Sequence, residues 1–271
     1  MKFSCIQTEP KSSFEDALSE ALSLSKKAIK EDSEFICLPE YCGGLMTEAG
    51  VFCPPSETEN SHPFLNEFIS FAKQNRVFIL LGSIAIKGKL NKIINRSFVL
   101  NDNGKIISRY DKIHMFDVNL SKKQTFKESE LVSGGNILTI CETKHGVLGQ
   151  TICYDIRFPY LYRDLSQKGA EILFIPAVFT KKTGEAHWHV LNRSRAIENC
   201  AYVISPSAVG KIKGGGEGYG HSLIVNPWGT ILADAGAQRG IITADINLSD
   251  VKDTRSKIPS LNHDKEYTFK N

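Results

Sequence analysis

Residues 77–86 read Val-Phe-Ile-Leu-Leu-Gly-Ser-Ile-Ala-Ile, a run that carries a single polar side chain, Ser83. It shows no period-two alternation, so the run predicts a strand with both faces covered rather than one face in water. It is far too short to span a bilayer. Just before it, residues 62–76 predict a helix with Phe64, Leu65, Phe68, Ile69 and Ala72 on one face. Just after it, residues 96–101 and 105–109 predict a hairpin about Asn103-Gly104, a type I′ turn pair. A covered strand with a helix on one side and strands on the other points to layers of helix and sheet.

The same alternation extends in both directions. Residues 3–8 predict a strand. Residues 14–29 predict an amphipathic helix through Phe14, Ala17, Leu18, Ala21, Leu22, Ala28 and Ile29. Residues 35–38 are a short buried strand. Later come strands at 137–141 and 147–153, joined by a turn at His145-Gly146. A helix follows at 159–168, opened by Pro159 and closed by Gly169. Residues 171–175 predict a strand, 185–199 a helix and 201–205 a strand. Three strands end the pattern at 221–226, 231–234 and 241–246. With no repeat or Pro/Ser-rich linker, residues 1–271 are expected to form one α/β domain with mixed sheets.

Composition narrows the function classes. Lys plus Arg is 33 and Asp plus Glu is 30, a net charge of +3. The basic pairs Lys26-Lys27, Lys122-Lys123 and Lys181-Lys182 are scattered, so neither a nucleic-acid face nor a membrane surface is expected. The N-terminus lacks a long apolar signal segment. Seven cysteines, an odd number with no C-x-x-C, argue against a disulfide framework and fit a cytoplasmic protein. Cys37, Cys42, Cys53 and His62 have poor metal-ligand spacing, and His187 and His189 lie two apart on a helix, on different faces. No metal site is expected from either set. The glycine run Gly214-Gly215-Gly216-Glu217-Gly218 lacks the dinucleotide spacing and reads as a loop, with a lid role left open.

Chemistry-bearing residues close three apolar segments. Glu40 follows 35–39, Lys112 follows 106–110 and Cys153 follows 147–152. Polar residues at the ends of such strands are where α/β sheets collect function. A thiol, a carboxylate and an ammonium would make a nucleophilic site, with the carboxylate moving a proton and the ammonium meeting an oxyanion. Each also has a plainer reading: a small buried hydrophobe, a loop carboxylate and a surface charge. Spacing alone does not bring the three together.

The motifs do more. Leu38-Pro39-Glu40, Tyr110-Asp111-Lys112-Ile113-His114 and Thr151-Ile152-Cys153-Tyr154-Asp155-Ile156-Arg157-Phe158-Pro159 stand in one order along the chain. So do Ala186-His187-Trp188, Tyr219-Gly220-His221-Ser222 and Asn226-Pro227-Trp228-Gly229. Together they resemble the nitrilase, or carbon-nitrogen hydrolase, superfamily over nearly the whole chain. The resemblance implies a four-layer α-β-β-α sandwich, paired into dimers or larger homo-oligomers. It implies Glu40 as general base and acid, Lys112 as oxyanion stabiliser and Cys153 as nucleophile, with no metal or organic cofactor. The Tyr154 N–H would complete an oxyanion hole, and Glu128 would position Lys112.

Residues 110–118 and the Cys-Tyr-Asp-Ile-Arg-Phe-Pro segment are similar to the amidases of deaminated glutathione and of α-ketoglutaramate. Glu128-Ser129 and Phe116-Asp117-Val118 lean toward the first group. Ser133-Gly134-Gly135 and Tyr160 depart from it. The expected reaction is hydrolysis of a small amide through a cysteine thioester. A nitrile, a carbamoyl compound or a non-catalytic binding role are the alternatives. Arg157 is read either as the holder of a substrate carboxylate or as the ion-pair partner of Asp155 or another buried carboxylate, and Phe179 as a residue that lines the pocket or simply packs.

Overall fold

The computed structural model describes residues 1–48, 51–121 and 124–270. The Lys122-Lys123 pair lies outside them. Two sheets form the centre. The first holds seven strands, ordered Gly240–Asp245, Lys2–Gln7, Phe35–Cys37, Phe78–Lys87, Ile93–Leu100 and Ile106–Asp111, with Ser56–Glu57 beside Phe78–Lys87. The second holds six, ordered Thr139–Thr143, Gly146–Gln150, Ile172–Phe174, Tyr202–Ser205, Leu223–Val225 and Ile231–Asp234. In each sheet three central strands run parallel and the flanking ones pair antiparallel, except Ser56–Glu57, which runs parallel to Phe78–Lys87.

Period-two geometry explains the apolar runs. In the first sheet Ile6, Ile36, Ile79 and Leu81 face the helices Phe14–Lys30 and Pro63–Asn75. The alternate residues Phe3, Cys5, Phe35, Cys37, Phe78 and Leu80 face the second sheet, meeting Leu148, Ile172, Phe174, Tyr202 and Ile204. Phe35 stacks on Phe3 at 4.8 Å and reaches across to Phe174 at 5.5 Å. The far side of the second sheet packs Ile152, Leu173, Ile175 and Val203 against the helices Pro159–Gln167 and Lys181–Asn199, through Leu161, Leu165, Trp188 and Ala196. The order helix, sheet, sheet, helix is the expected four-layer α-β-β-α sandwich.

Several local readings change. The hairpin at Asn101–Lys105 has positive φ at Gly104 only, so it is a three-residue loop closed by a left-handed glycine and not a type I′ turn. The turn after Thr139–Thr143 is Lys144-His145, since Gly146 already pairs with Thr143. The helix 185–199 begins a turn earlier, at Lys181. The glycine run is not a free loop: Val209–Lys211 pairs with Glu217–Tyr219, and Thr47 bonds to the carbonyls of Lys213 and Gly215. The helix Ser249–Lys257 is an addition, since its sequence carries no apolar period. Among the described residues no helix is long and apolar enough to cross a membrane.

Candidate active site

Glu40, Lys112 and Cys153 lie far apart in sequence and meet in one buried pocket. Glu40 follows the strand Phe35–Cys37 through Leu38-Pro39. Leu38 N–H bonds to Leu80 O at 2.9 Å, and Ser83 N–H to Pro39 O at 3.2 Å. The ladder between Phe78–Lys87 and Ile93–Leu100 shifts register between Leu81 and Ile84. That bulge brings Gly82 under the Leu38 and Pro39 carbonyls, where a Cβ would lie 2.1 and 2.5 Å from the two oxygens. Bulges beside sites commonly re-aim a side chain, and this one fits only glycine.

Lys112 leaves the end of Ile106–Asp111. Its N–H still bonds Asn95 O at 3.0 Å, while Arg96 takes the neighbouring Asp111 carboxylate in a two-pronged pair. Asp111 is thereby held outward and Lys112, only 2% exposed, inward. Glu128 opens the short helix Glu128–Leu131 and is equally buried. Its carboxylate accepts from Phe116 N–H at 2.7 Å and from Tyr41 Oη at 3.2 Å.

Cys153 opens the short 3-10 helix Cys153–Arg157, which follows the strand Gly146–Gln150 after Thr151-Ile152. Its φ is +48°, a left-handed conformation that costs a non-glycine residue of order 1 kcal/mol or more. Two bonds hold the strained turn. Cys153 N–H donates to Pro176 O at 2.9 Å, and Asp155 accepts from Ile152 N–H at 2.9 Å. Asp155 also accepts from Tyr110 Oη at 2.7 Å and from His114 N–H at 3.1 Å, with His114 Nδ1 at 2.7 Å. One carboxylate therefore ties the cysteine turn to the segment that carries Lys112.

The charges converge on Lys112. Its Nζ lies 2.9 Å from Glu40 Oε1 and 2.8 Å from Glu128 Oε2. Asn95 Nδ2 donates to Glu40 Oε1 at 2.9 Å, and Val178 N–H donates to Glu40 Oε2 at 2.9 Å. Burial works against the Lys112 charge, but Glu128 and Glu40 outweigh it and hold the ammonium well above its usual range. Burial pushes the Cys153 thiol well up, Glu40 pushes it further, and Lys112 opposes them. The resting thiol is therefore neutral and has a carboxylate beside it. Such a set can move a proton off sulfur as the sulfur attacks.

Cys153, Glu40, Lys112, Glu128, Tyr154 and Phe179 line a narrow cavity with room for little more than a water-sized group. It opens through Phe52, Val178 and Thr180 into a wider one of about 580 Å³, edged by Lys181, Lys182, Lys211, Glu185, Glu217 and the glycine run. Phe179 thus both lines the pocket and packs, its ring 4.9 Å from that of Trp188. Arg157 is not among the lining residues. It lies over the Tyr154 and Phe179 rings and bonds His187 Nδ1 at 3.2 Å. It does not pair with Asp155, whose oxygens are taken by Tyr110, His114 and Ile152. Sequence reasoning missed Asn95, Tyr41 and Asp155. Asn95 is followed by Arg96 and Ser97 in the strand Ile93–Leu100, so nothing in the sequence singles out its buried amide, whose partners only the fold supplies. Cys37 faces the sheet interface, Cys42 the helix layer, and Cys53 is exposed, so the three do not converge.

The carbon-nitrogen hydrolase family matches residues 2–256. The chain belongs to this family. It is 37% identical over 263 residues to the deaminated glutathione amidase of Synechocystis sp., covering 95% of this chain and 96% of that protein. It is 33% identical to the omega-amidase NIT2 of Homo sapiens, covering 95% and 92%. Of solved structures, Saccharomyces cerevisiae Nit3, described as a member of branch 10 of the nitrilase superfamily, superposes with a TM-score of 0.81 at 30% identity, over 96% of this chain and 94% of that one. The C. elegans NitFhit protein superposes at 0.88 and 27%, over 97% of this chain and 65% of that longer one. This carbon-nitrogen hydrolase is accordingly an enzyme of the amidase type, and the sandwich is that of its family.

Proposed function

We propose that this enzyme hydrolyses the amide of a small, carboxylate-bearing substrate of the deaminated-glutathione type, through a thioester on Cys153. The observation that carries the reading is the Lys112 ammonium held between Glu40 and Glu128 in the pocket that Cys153 lines. Cys153 Sγ attacks the amide carbonyl as Glu40 takes the thiol proton. Lys112 and the Tyr154 N–H, in the first turn after the cysteine, stabilise the oxyanion. Collapse expels ammonia with the proton returned by Glu40, leaving the thioester. Glu40 then activates water, and the carboxylic acid leaves as the thiol is restored.

The two-part cavity supports an acidic, extended substrate. The inner part is narrow, and Lys112, its cation, is already taken by two carboxylates. A distal carboxylate would instead meet Lys182 and Lys211 at the mouth, where Lys181 is already paired with Glu217 at 3.0 Å and Glu185 adds a second acid. The same wall leaves α-ketoglutaramate as the second reading, since it is shorter but also acidic. We place the activity in the cytoplasm, where all seven cysteines stay unpaired as they are here. Exposed Val190 and Ile197, two turns apart on one helix beside the Trp228 turn, suit burial by a second copy.

The test is ammonia release with deaminated glutathione and α-ketoglutaramate in parallel, beside a Cys153→Ala control. Faster release from the first, lost in the control, supports the reading. Release that survives Cys153→Ala overturns the mechanism, and silence with both amides moves the substrate to other amides, nitriles or carbamoyl compounds.

A further inference from the structure

His189, His221 and Asp234 come together on the outer face of the second sheet, independently of the catalytic pocket. They reach that point from a helix, a loop and a strand. His189 Nε2 lies 3.0 Å from Asp234 Oδ2, and His221 Nδ1 lies 3.0 and 3.2 Å from the two Asp234 oxygens. All three donor atoms lie within 4.8 Å of one another. Four ligands at about 2.0–2.1 Å around a tetrahedral ion are separated by about 3.3 Å, so the two histidine–aspartate gaps suit one small cation.

The three groups are positioned by other contacts. His221 takes φ +52°, with its N–H on Gly236 O at 2.8 Å and its carbonyl accepting from Trp188 Nε1 at 2.7 Å. Its ring stacks on Tyr219 at 4.4 Å. Asp234 Oδ1 also accepts from Gly236 N–H at 2.8 Å, which leaves Oδ2 aimed at His189. Each residue is partly exposed, so an ion has access. His187, the neighbour with which His189 forms a sequence pair, is turned to Arg157 and takes no part.

We propose that His189 Nε2, His221 Nδ1 and an Asp234 oxygen form a three-ligand site for zinc, with water as the fourth ligand. Two imidazoles and one carboxylate select a nitrogen-binding transition ion over calcium or magnesium. On binding, each imidazole must present a lone pair where it now faces a carboxylate. The ring proton moves to the other nitrogen, His189 Nδ1 or His221 Nε2, or leaves from a protonated ring, so no oxidant or reductant is required. The ion would clamp the helix Lys181–Asn199 to the strand Ile231–Asp234. That helix begins beside Thr180 and Thr183 in the pocket wall, so the clamp would stiffen the site without entering it.

The experiment uses the full chain with its accessible thiols blocked, dialysed against zinc and then against buffer, with zinc counted per chain and unfolding followed by heat. The expected result is about one zinc per chain and a higher melting temperature with zinc. His189→Gln, which leaves Asp234 and His221 in place, should weaken retention at least tenfold and erase the thermal shift, as should Asp234→Asn. Cobalt bound in place of zinc should give a ligand-field spectrum of nitrogen and oxygen donors with no thiolate charge-transfer band. Failure of the native chain to retain zinc overturns the proposal. So does native-like retention by either variant, or a thiolate signature in the cobalt spectrum.

Discussion

Glu128 Oε2 lies 2.8 Å from Lys112 Nζ in a setting where both side chains are almost wholly buried. Glu40 occupies the other side of the same nitrogen at 2.9 Å. One ammonium therefore holds two carboxylates together, and removing it leaves both without a counter-charge. Lys112→Met is expected to lower ammonia release at least 100-fold, because a preorganised charge is lost where the oxyanion forms. It should also cost about 3–5 kcal/mol of stability, the usual penalty for unpairing buried charge. Parallel turnover and denaturant unfolding measure both. Near-native turnover in a folded variant would remove Lys112 from the mechanism.

Gly82→Ala tests the backbone that aims Glu40. The added methyl would meet Leu38 O at 2.1 Å, Pro39 O at 2.5 Å and Pro176 Cβ at 2.5 Å. Pro176 O holds the Cys153 amide, so one methyl presses on both sides of the site. A displacement near 1 Å at reacting groups costs about 100-fold, so kcat should fall roughly 10- to 100-fold with a smaller change in KM. Gly240→Ala, where nothing lies within 4 Å, serves as the control and should leave turnover unchanged. Equal kinetics in the two variants would contradict the argument.

The layers are legible because strands covered on both faces cannot hide their composition: 77–86 and 35–38 are apolar throughout but for Ser83. Glu40, Lys112 and Cys153 are legible as ends of such strands, and the motifs supply the reason to join them. What stays hidden depends on contacts distant in sequence. Nothing near Asp155 says that Tyr110 and His114 will donate to it, which is why the sequence offers Arg157 as its partner. Gly214 to Gly218 reads as a loop because glycine has no side chain to mark a strand. Gly214 is in fact pressed against Thr47, where a Cβ would come within 1.7 Å of the Thr47 carbonyl oxygen. The turn at Gly104 differs from the expected one because Asn-Gly suits two turn types, and the register of Asn101 with Lys105 decides between them.

Asp155→Asn should uncouple the cysteine turn from the lysine segment. The native carboxylate accepts from Tyr110, Ile152 and His114, whereas an amide offers one oxygen and turns an NH₂ toward donors. The loss expected from buried unsatisfied groups is about 2–3 kcal/mol. Asp155 does not itself line the cavity, so it acts by positioning. Its variant should lose kcat more than KM, and Cys153 should react more slowly with a substrate-like electrophile. Unchanged labelling of Cys153 at unchanged stability would separate Asp155 from the turn.

His62 should make stability fall in mild acid. It is fully buried, its ring 4.8 Å from that of Phe14 and under Gly43, close to the turn that follows Glu40. Burial pushes its pKa from 6.5 down to about 4. The neutral ring is thus the form the fold accepts. Between pH 6.5 and about 4 the unfolded chain binds a proton that the folded chain refuses, so stability declines as pH falls through that window. Below the folded value this component levels off. The full effect is of order 3 kcal/mol, since each pH unit across the window contributes about 1.4 kcal/mol. His145, also lowered by burial, adds to the same slope. His62→Gln should therefore flatten the decline without abolishing it. Denaturant midpoints across the window, native against variant, give the answer; parallel curves would mean that His62 already carries its charge in the fold.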